Sequence, residues 1–264
     1  MDVRDILENK TSGMIVKAQD LGKALMLADY DHIFMVGFGS SGFVIEMLQS
    51  LVRAPIIHLK GYTLPSYATS RSVLVCVSYS GNTEEVITVY DQAQLKGCKL
   101  MGITSGGRLR DQLFRDNHRC IRVPSDVLPR VALPFMLFPL LNMFSRTGLC
   151  EDYSKSINSI LERVKHPKLK YSAEQLANSI GTKIPLIYAT DRLMPVAKRW
   201  KMQINEMAKQ HAFCEQLPSM NHFEIEAFKN KREDMHVILL LDEEEYIRNR
   251  LRFEKTKQII TSQG

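Results

Sequence analysis

No stretch of this chain is apolar for long enough to cross a bilayer. The longest run, "VALPFMLFPLL" at 131–141, has 11 residues and two prolines, against roughly 20 for a membrane-spanning helix. The opening "MDVRDILENK" is charged where a secretory signal would be apolar. Cysteines stand only at 76, 98, 120, 150 and 214; an odd count without a C-x-x-C pair argues against a disulfide framework. The closest approach to a metal set, His211-Ala-Phe-Cys214, lacks a second pair at zinc spacing and reads as packing. Low-complexity tracts and internal repeats are missing too. These absences point to a reduced, cytoplasmic, globular protein.

Charge adds little. The net +6 comes from 35 basic residues scattered among 29 acidic ones, and the densest basic patches, "KHPKLK" at 165–170 and "KNKRE" at 229–233, lack interleaved aromatics. Solvated loops with a modest preference for small anions account for this better than a nucleic-acid surface does, and no nucleic-acid or membrane partner is expected. Apolar residues at 45% and 264 positions are enough for one large domain or two small ones.

Short apolar strands alternate with amphipathic helices along the chain. An opening helix (about 3–28) precedes strands at 32–36, 55–59, 72–78, 99–104 and 119–123, with helices at 42–53, 83–96 and near 108–116. Continuous apolar strands of this kind predict a parallel sheet covered on both faces. Residues 130–148 read as a helix interrupted or kinked by Pro134 and Pro139. A polar, basic connector at 151–170 follows. The pattern then restarts with helices at 172–182, 192–210 and 221–229, strands at 183–190, 212–217 and 236–241, and a final helix. The expected architecture is α/β, two tandem halves spanning 1–150 and 151–264.

Two strand-to-helix turns stand out. "GFGSSG" at 37–42 is a formal G-x-G-x-x-G in the setting of a dinucleotide fingerprint, but "IIHLKG" lacks the acid that would hold the ribose. Lys60 in that place keeps a minority NADP reading open; glycines that merely let strand and helix meet closely are the bland alternative. "SYSGNT" at 78–83 brings three hydroxyls to a helix start. Turns after neighbouring parallel strands open on one sheet edge, so the two turns should sit side by side as a phosphate cradle. Capping by Asn82 and Glu85 is the plainer reading of part of this stretch, yet it leaves Ser78 and Ser80 unexplained.

"GFGSSG…VSYSGNTEE" is similar to the sugar isomerase (SIS) domains. With "LPRVALPFMLFPL" (128–140), "RWKMQINEMAKQ" (199–210) and "PSMNHFEIEAF" (218–228), the chain resembles the archaeal-type bifunctional phosphoglucose/phosphomannose isomerases from about residue 30 to about 250. The resemblance implies two tandem SIS-like subdomains, each a mainly parallel sheet between helix layers. It places phosphate binding on Ser41, Ser78, Ser80 and Thr83, with Gly39 and Ser40 in the same substrate-binding set and Ser40 standing where the family has glycine. It puts the catalytic glutamate on Glu206, the histidine on His222 and an arginine on Arg130, with Met207 and Phe223 in place of family asparagines. In the family that histidine comes from the partner subunit of a dimer. Members continue into a C-terminal segment that lends a lysine, for which no residue here is assigned.

The implied reaction interconverts glucose 6-phosphate or mannose 6-phosphate with fructose 6-phosphate through a cis-enediol, with neither metal nor redox cofactor required. Glu206 would carry the proton, His222 would assist ring opening, and Arg130 would steady the enediolate. Each has a bland counterpart. Glu206 could pair with Lys209 on the surface, off a core stripe of Trp200, Ile204, Ala208 and His211. His222 is read in the first turn of a helix capped by Asn221 and Glu224, where the dipole favours the neutral imidazole that suits proton transfer; its bland counterpart is a polar residue in an exposed first turn. Arg130 could simply face solvent after Pro129. A sugar-phosphate-binding regulator or relic isomerase without turnover is the alternative function.

Overall fold

The buried apolar strands pair in parallel, as their unbroken Val, Ile and Leu content predicts. The computed structural model describes residues 30–164, 167–230 and 232–263; the expected opening helix lies outside them. The chain divides into two compact units, Met1–His166 and Pro167–Gly264.

The first unit contains β1 (His32–Val36), α1 (Gly39–Leu51), β2 (Ile56–Leu59), β3 (Ser72–Val77), α2 (Glu84–Leu95), β4 (Lys99–Thr104), α3 (Gly107–Arg115), β5 (Arg119–Arg122), α4 (Leu133–Arg146) and α5 (Ser154–Val164). Its five strands are ordered β2-β1-β3-β4-β5 and all pair in parallel. Alternation along the strands fills two cores. Ile33, Met35, Val73 and Val75 pack with Val44, Ile45 and Leu48 of α1 and with Phe135 and Phe144 of α4. Phe34, Val36, Leu74 and Cys76 face Val86 and Tyr90 of α2 and Leu109 and Leu113 of α3. Helices therefore cover both faces, and every strand-to-helix turn opens on the carboxyl edge.

The second unit repeats the plan on a smaller scale. It comprises α6 (Pro167–Ile180), β6 (Ile184–Thr190), α7 (Met194–Gln203), β7 (Phe213–Leu217), β8 (Met235–Leu240) and α8 (Ile247–Gln263). Its sheet is parallel, in the order β7-β6-β8. Ile187, Ala189 and Ile238 pack with Ala197 and Trp200 of α7, while Leu186, Tyr188 and Leu217 meet Met220, Phe228 and Phe253 of α8. Each unit is a three-layer α/β sandwich. No helix among the described residues is long and apolar enough to cross a membrane.

Three expectations are corrected. The helix read at 130–148 begins with a separate 3-10 turn, Pro129–Val131, and α4 then runs on through Pro139; Pro134 lies in the first turn, where no N–H is needed. The polar connector at 151–170 is largely helical, and Ile157 of α5 reaches into the first unit's core. The helix read at 221–229 is instead two 3-10 turns, Ser219–His222 and Glu224–Lys229.

Tyr90, buried in the α2 core, donates to Asp116 Oδ2 (2.8 Å), and Arg115 Nε reaches Oδ1 (2.8 Å). The guanidinium and then the hydroxyl hold the Asp116 carboxyl down from 3.8 to about 2. A depressed carboxylate adds stability above its unfolded value and loses it as pH falls through its folded value. Asp116→Asn should therefore lower the thermal midpoint at neutral pH. Its gap from the parent should close between pH 3.8 and about 2, read by circular dichroism melts; a gap unchanged by pH would refute the linkage.

Candidate active site

The parallel register of β1 and β3, Val36 opposite Cys76, sets the β1–α1 and β3–α2 turns against each other. They touch closely: a Cβ on Gly37 would lie 2.8 Å from the Val77 carbonyl oxygen. Ser41 Oγ, buried at the start of α1, accepts from the Tyr79 N–H at 3.2 Å, joining the two turns. Within the second turn Ser78 Oγ and Thr83 Oγ1 are 2.9 Å apart, the Gly81 N–H donates to Ser78 Oγ (3.1 Å), and the Asn82 N–H donates to Ser80 Oγ (3.2 Å). Ser78, Ser80 and Thr83 thus surround one helix start, with Ser41 bound to the residue between the two serines. Gly39 and Ser40 open α1 beside them. The α2 cap residue, Thr83, makes no side-chain bond to the first turn, which leaves that turn's N–H groups open to an anion.

The capping role read for Asn82 is not the one it has. Its Oδ1 accepts from the Arg108 N–H at 3.0 Å, on the turn after β4. That third turn, Ser105-Gly106-Gly107, carries no recognisable motif in the sequence. It buttresses the cradle: the Leu109 N–H donates to the Gly81 carbonyl (2.9 Å), and the Ser105 N–H and Oγ both donate to the Tyr79 carbonyl (2.9 and 2.7 Å). The fit needs glycine, since Gly81 has φ +70° and its Cβ would sit 1.8 Å from the Gly106 carbonyl oxygen. Of the two first-turn acids, Glu84 is exposed, and Glu85 lies against the Tyr62 hydroxyl, whose titration is raised by burial and then by these two charges.

Arg130 is half-buried in the 3-10 turn before α4. The segment leading to it is tied to the cradle by Tyr79, whose hydroxyl donates to the carbonyls of Pro124 (2.8 Å) and Val127. Lys60, the cation weighed for a 2′-phosphate, is instead paired with Glu46 at 3.0 Å. Groups of residues able to hold a metal are absent among the described residues.

In the second unit, α7 passes into a π-helical turn, Ile204–Ala208, and Lys209 is left-handed (φ 57°). The extra residue per turn breaks the expected stripe: Trp200 and Ile204 pack on the core, whereas Ala208 and His211 are exposed. Glu206 is exposed on this turn. Lys209 Nζ donates to the Glu206 backbone carbonyl (2.7 Å) rather than forming the simple surface ion pair. The charge that Glu206 does influence is the buried guanidinium of Arg199, which burial makes easier to deprotonate and Glu206 partly restores.

His222 is exposed and ends a four-residue 3-10 turn, so the helix-dipole argument does not apply to it. Asn221 caps nothing; its Nδ2 donates to Thr256 Oγ1 of α8 at 2.8 Å. Glu224, expected as the partner in that cap, turns inward toward Tyr188, and burial foremost, then the charge of Glu215, raises its carboxyl. Glu206 and His222 flank opposite ends of β7. The Gln210 side chain, just past Glu206, donates to the Lys183 carbonyl ahead of β6, which marks the amino edge of the sheet. His222 follows the carboxyl end of β7, and a strand of five residues spans roughly 16 Å.

The family model for the bacterial phospho-glucose isomerase C-terminal SIS domain matches residues 169–264. The chain is 33% identical over 267 aligned positions to the bifunctional phosphoglucose/phosphomannose isomerase of Caldicellulosiruptor bescii, covering 93% of this chain and 79% of that protein. The chain belongs to this isomerase family. Another relative, the D-glucosamine-6-phosphate 4-epimerase of Sulfolobus acidocaldarius, is 30% identical over 80% of this chain and 68% of its own. Among solved structures, the C-terminal domain of glucosamine-fructose-6-phosphate aminotransferase from Francisella tularensis has a TM-score of 0.76 at 14% identity, covering 98% of this chain and 79% of that one. At that identity the likeness concerns the fold.

The cradle separates two kinds of substitution. Ser80 is exposed, so Ser80→Ala should leave the urea midpoint unchanged and weaken inorganic phosphate binding by about 1.5–3 kcal/mol per charged hydrogen bond lost. Gly81→Ala meets both the clash and the left-handed φ. It should lose at least about 1–3 kcal/mol of stability together with phosphate binding, and a parent-like midpoint would contradict the packing of the third turn.

Proposed function

We propose that this chain is an aldose–ketose isomerase that interconverts glucose 6-phosphate and mannose 6-phosphate with fructose 6-phosphate through a cis-enediol. The observation that carries the reading is the hydroxyl-and-backbone cradle of Ser41, Ser78, Ser80 and Thr83 in a chain of this family. The cradle would grip the phosphate, Glu206 would move the proton between C1 and C2, His222 would assist ring opening, and Arg130 would steady the enediolate oxygen.

The active unit is a homodimer that shares its sites. Glu206 and His222 flank opposite ends of one strand, which supports pairing of each with a residue from another copy. Met207 beside Glu206 is 58% exposed and Phe223 beside His222 is 57% exposed. Large apolar side chains exposed next to both candidate residues are what a partner would cover.

The relative named as a 4-epimerase shows that a different reaction can accompany this much identity. The position of proton exchange separates the two: isomerisation labels C2 in deuterated water, and epimerisation at C4 does not require it. Binding without turnover or exchange would favour the regulator reading.

Two experiments follow. Glu206→Gln keeps the side chain's shape and removes its basicity, so turnover and C2 exchange should fall by about 10²–10⁴ while fructose 6-phosphate still binds; near-parent turnover would place the base elsewhere. Mixing inactive Glu206→Gln and His222→Ala subunits should restore part of the activity through hybrid dimers. Absence of rescue after demonstrated subunit exchange would mean that each site is built from one chain.

A further inference from the structure

Tyr79 stands between the two serines of the cradle, and its three polar groups each bind a different turn of the carboxyl edge. Its N–H reaches Ser41 Oγ of the β1–α1 turn (3.2 Å), and its carbonyl accepts from the Ser105 N–H and Oγ of the β4–α3 turn (2.9 and 2.7 Å). Its hydroxyl crosses 45 and 48 positions of sequence to the Pro124 and Val127 carbonyls, between β5 and Arg130. Tyr79 is 7% exposed and packs in the α1–α4 core.

The segment between β5 and Arg130 has few backbone–backbone bonds of its own. Val123 N–H donates to the Thr104 carbonyl (3.0 Å), and the next backbone bonds close the turn around Arg130, from Val131 to Leu128 (2.9 Å) and from Ala132 to Pro129 (3.2 Å). Between them the buried Val127 side chain and the Tyr79 hydroxyl each hold the chain. Alternation makes this possible: the serines on either side of Tyr79 turn toward the cradle, so its side chain turns away from it, under the arginine segment.

We infer that Tyr79 is a positioning residue that locks the Arg130 segment to the phosphate cradle, fixing how far the arginine stands from a sugar held by its phosphate. The inference rests on the isomerase reading and assigns Tyr79 no contact with substrate. It predicts a particular division of effects. Misplacement of a catalytic group by a fraction of an ångström to one ångström costs turnover, whereas the phosphate grip belongs to other atoms.

The test is Tyr79→Phe, which keeps the ring and removes one oxygen. Fructose 6-phosphate affinity should stay within about threefold of the parent, and kcat should fall roughly ten- to hundredfold. Amide hydrogen exchange should quicken in residues 124–131 and stay as in the parent at Leu109, whose bond to Gly81 does not involve the hydroxyl. In an Arg130→Gln background the same change should add almost nothing, because coupled residues are non-additive. Unchanged exchange in 124–131, a loss confined to affinity, or losses that simply add in the double variant would each overturn the coupling while leaving the isomerase reading intact. Full activity of Arg130→Gln alone would instead remove the arginine's role, and the coupling with it. The hydrogen-exchange arm needs no activity and so reads the structural half of the inference independently.

Discussion

The carboxyl edge of the first unit depends on the parallel pairing of β1 with β3. Two strands adjacent in space but separated by β2 in sequence end at one level, and their turns must share a space in which Gly37 has no room for a side chain. That closeness lets one serine, Ser41, accept from the backbone of the other turn. A third turn, after β4, closes the arrangement by filling the space beside Gly81. The "SYSGNT" turn is therefore held by three loops, each anchored in a buried strand.

The second unit works differently. Its candidate residues are carried by irregular backbone, a π-helical turn for Glu206 and a 3-10 turn for His222. Such backbone is common where a side chain must leave the path that a regular helix would give it. Without the π turn, the helical period would continue through Ala208 and His211 onto the core face. With it, the stripe ends at Ile204, and the following residues project into solvent. Local irregularity here sets which side chains are offered outward.

What was legible in the sequence was whatever depends on local pattern. The β-branched runs and the glycine turns gave the first sheet and the edge on which its ligand groups gather, because a parallel strand must be buried on both faces and its turns must open one way. The strand "KLMGIT" spans the same residues, 99–104, in pattern and in structure. Less legible were features decided by distant partners. Asn82 has the look of a cap, yet a better donor, the Arg108 N–H, lies 26 positions away. Asn221 shows the same failure, its amide engaged by Thr256 on a helix that the local pattern could not place beside it. Tyr79 offered no signal beyond being a large ring between two serines. Its importance comes from carbonyls 45 and 48 positions on, and only a "SGG" at 105–107 hinted that another turn would join the cradle.

The composition of the cradle also decides where catalytic power must come from. Its donors are neutral hydroxyls and backbone N–H groups, and the one nearby lysine singled out in the sequence, Lys60, is paired with Glu46. Such a grip holds a phosphate through directed hydrogen bonds and a helix dipole. The phosphate is chemically the same in an aldose, in its enediol and in the ketose. Interactions with it are thus uniform along the reaction: they hold substrate and product alike and lower no barrier by themselves. Rate must arise where charge and protons move, the work proposed for Glu206, His222 and Arg130. What the cradle can contribute to rate is position alone, by holding the sugar at a set distance from the Arg130 segment of its own unit. For Arg130 that distance is set through Tyr79, which sits in the cradle's own sequence and reaches out of it with a single hydroxyl.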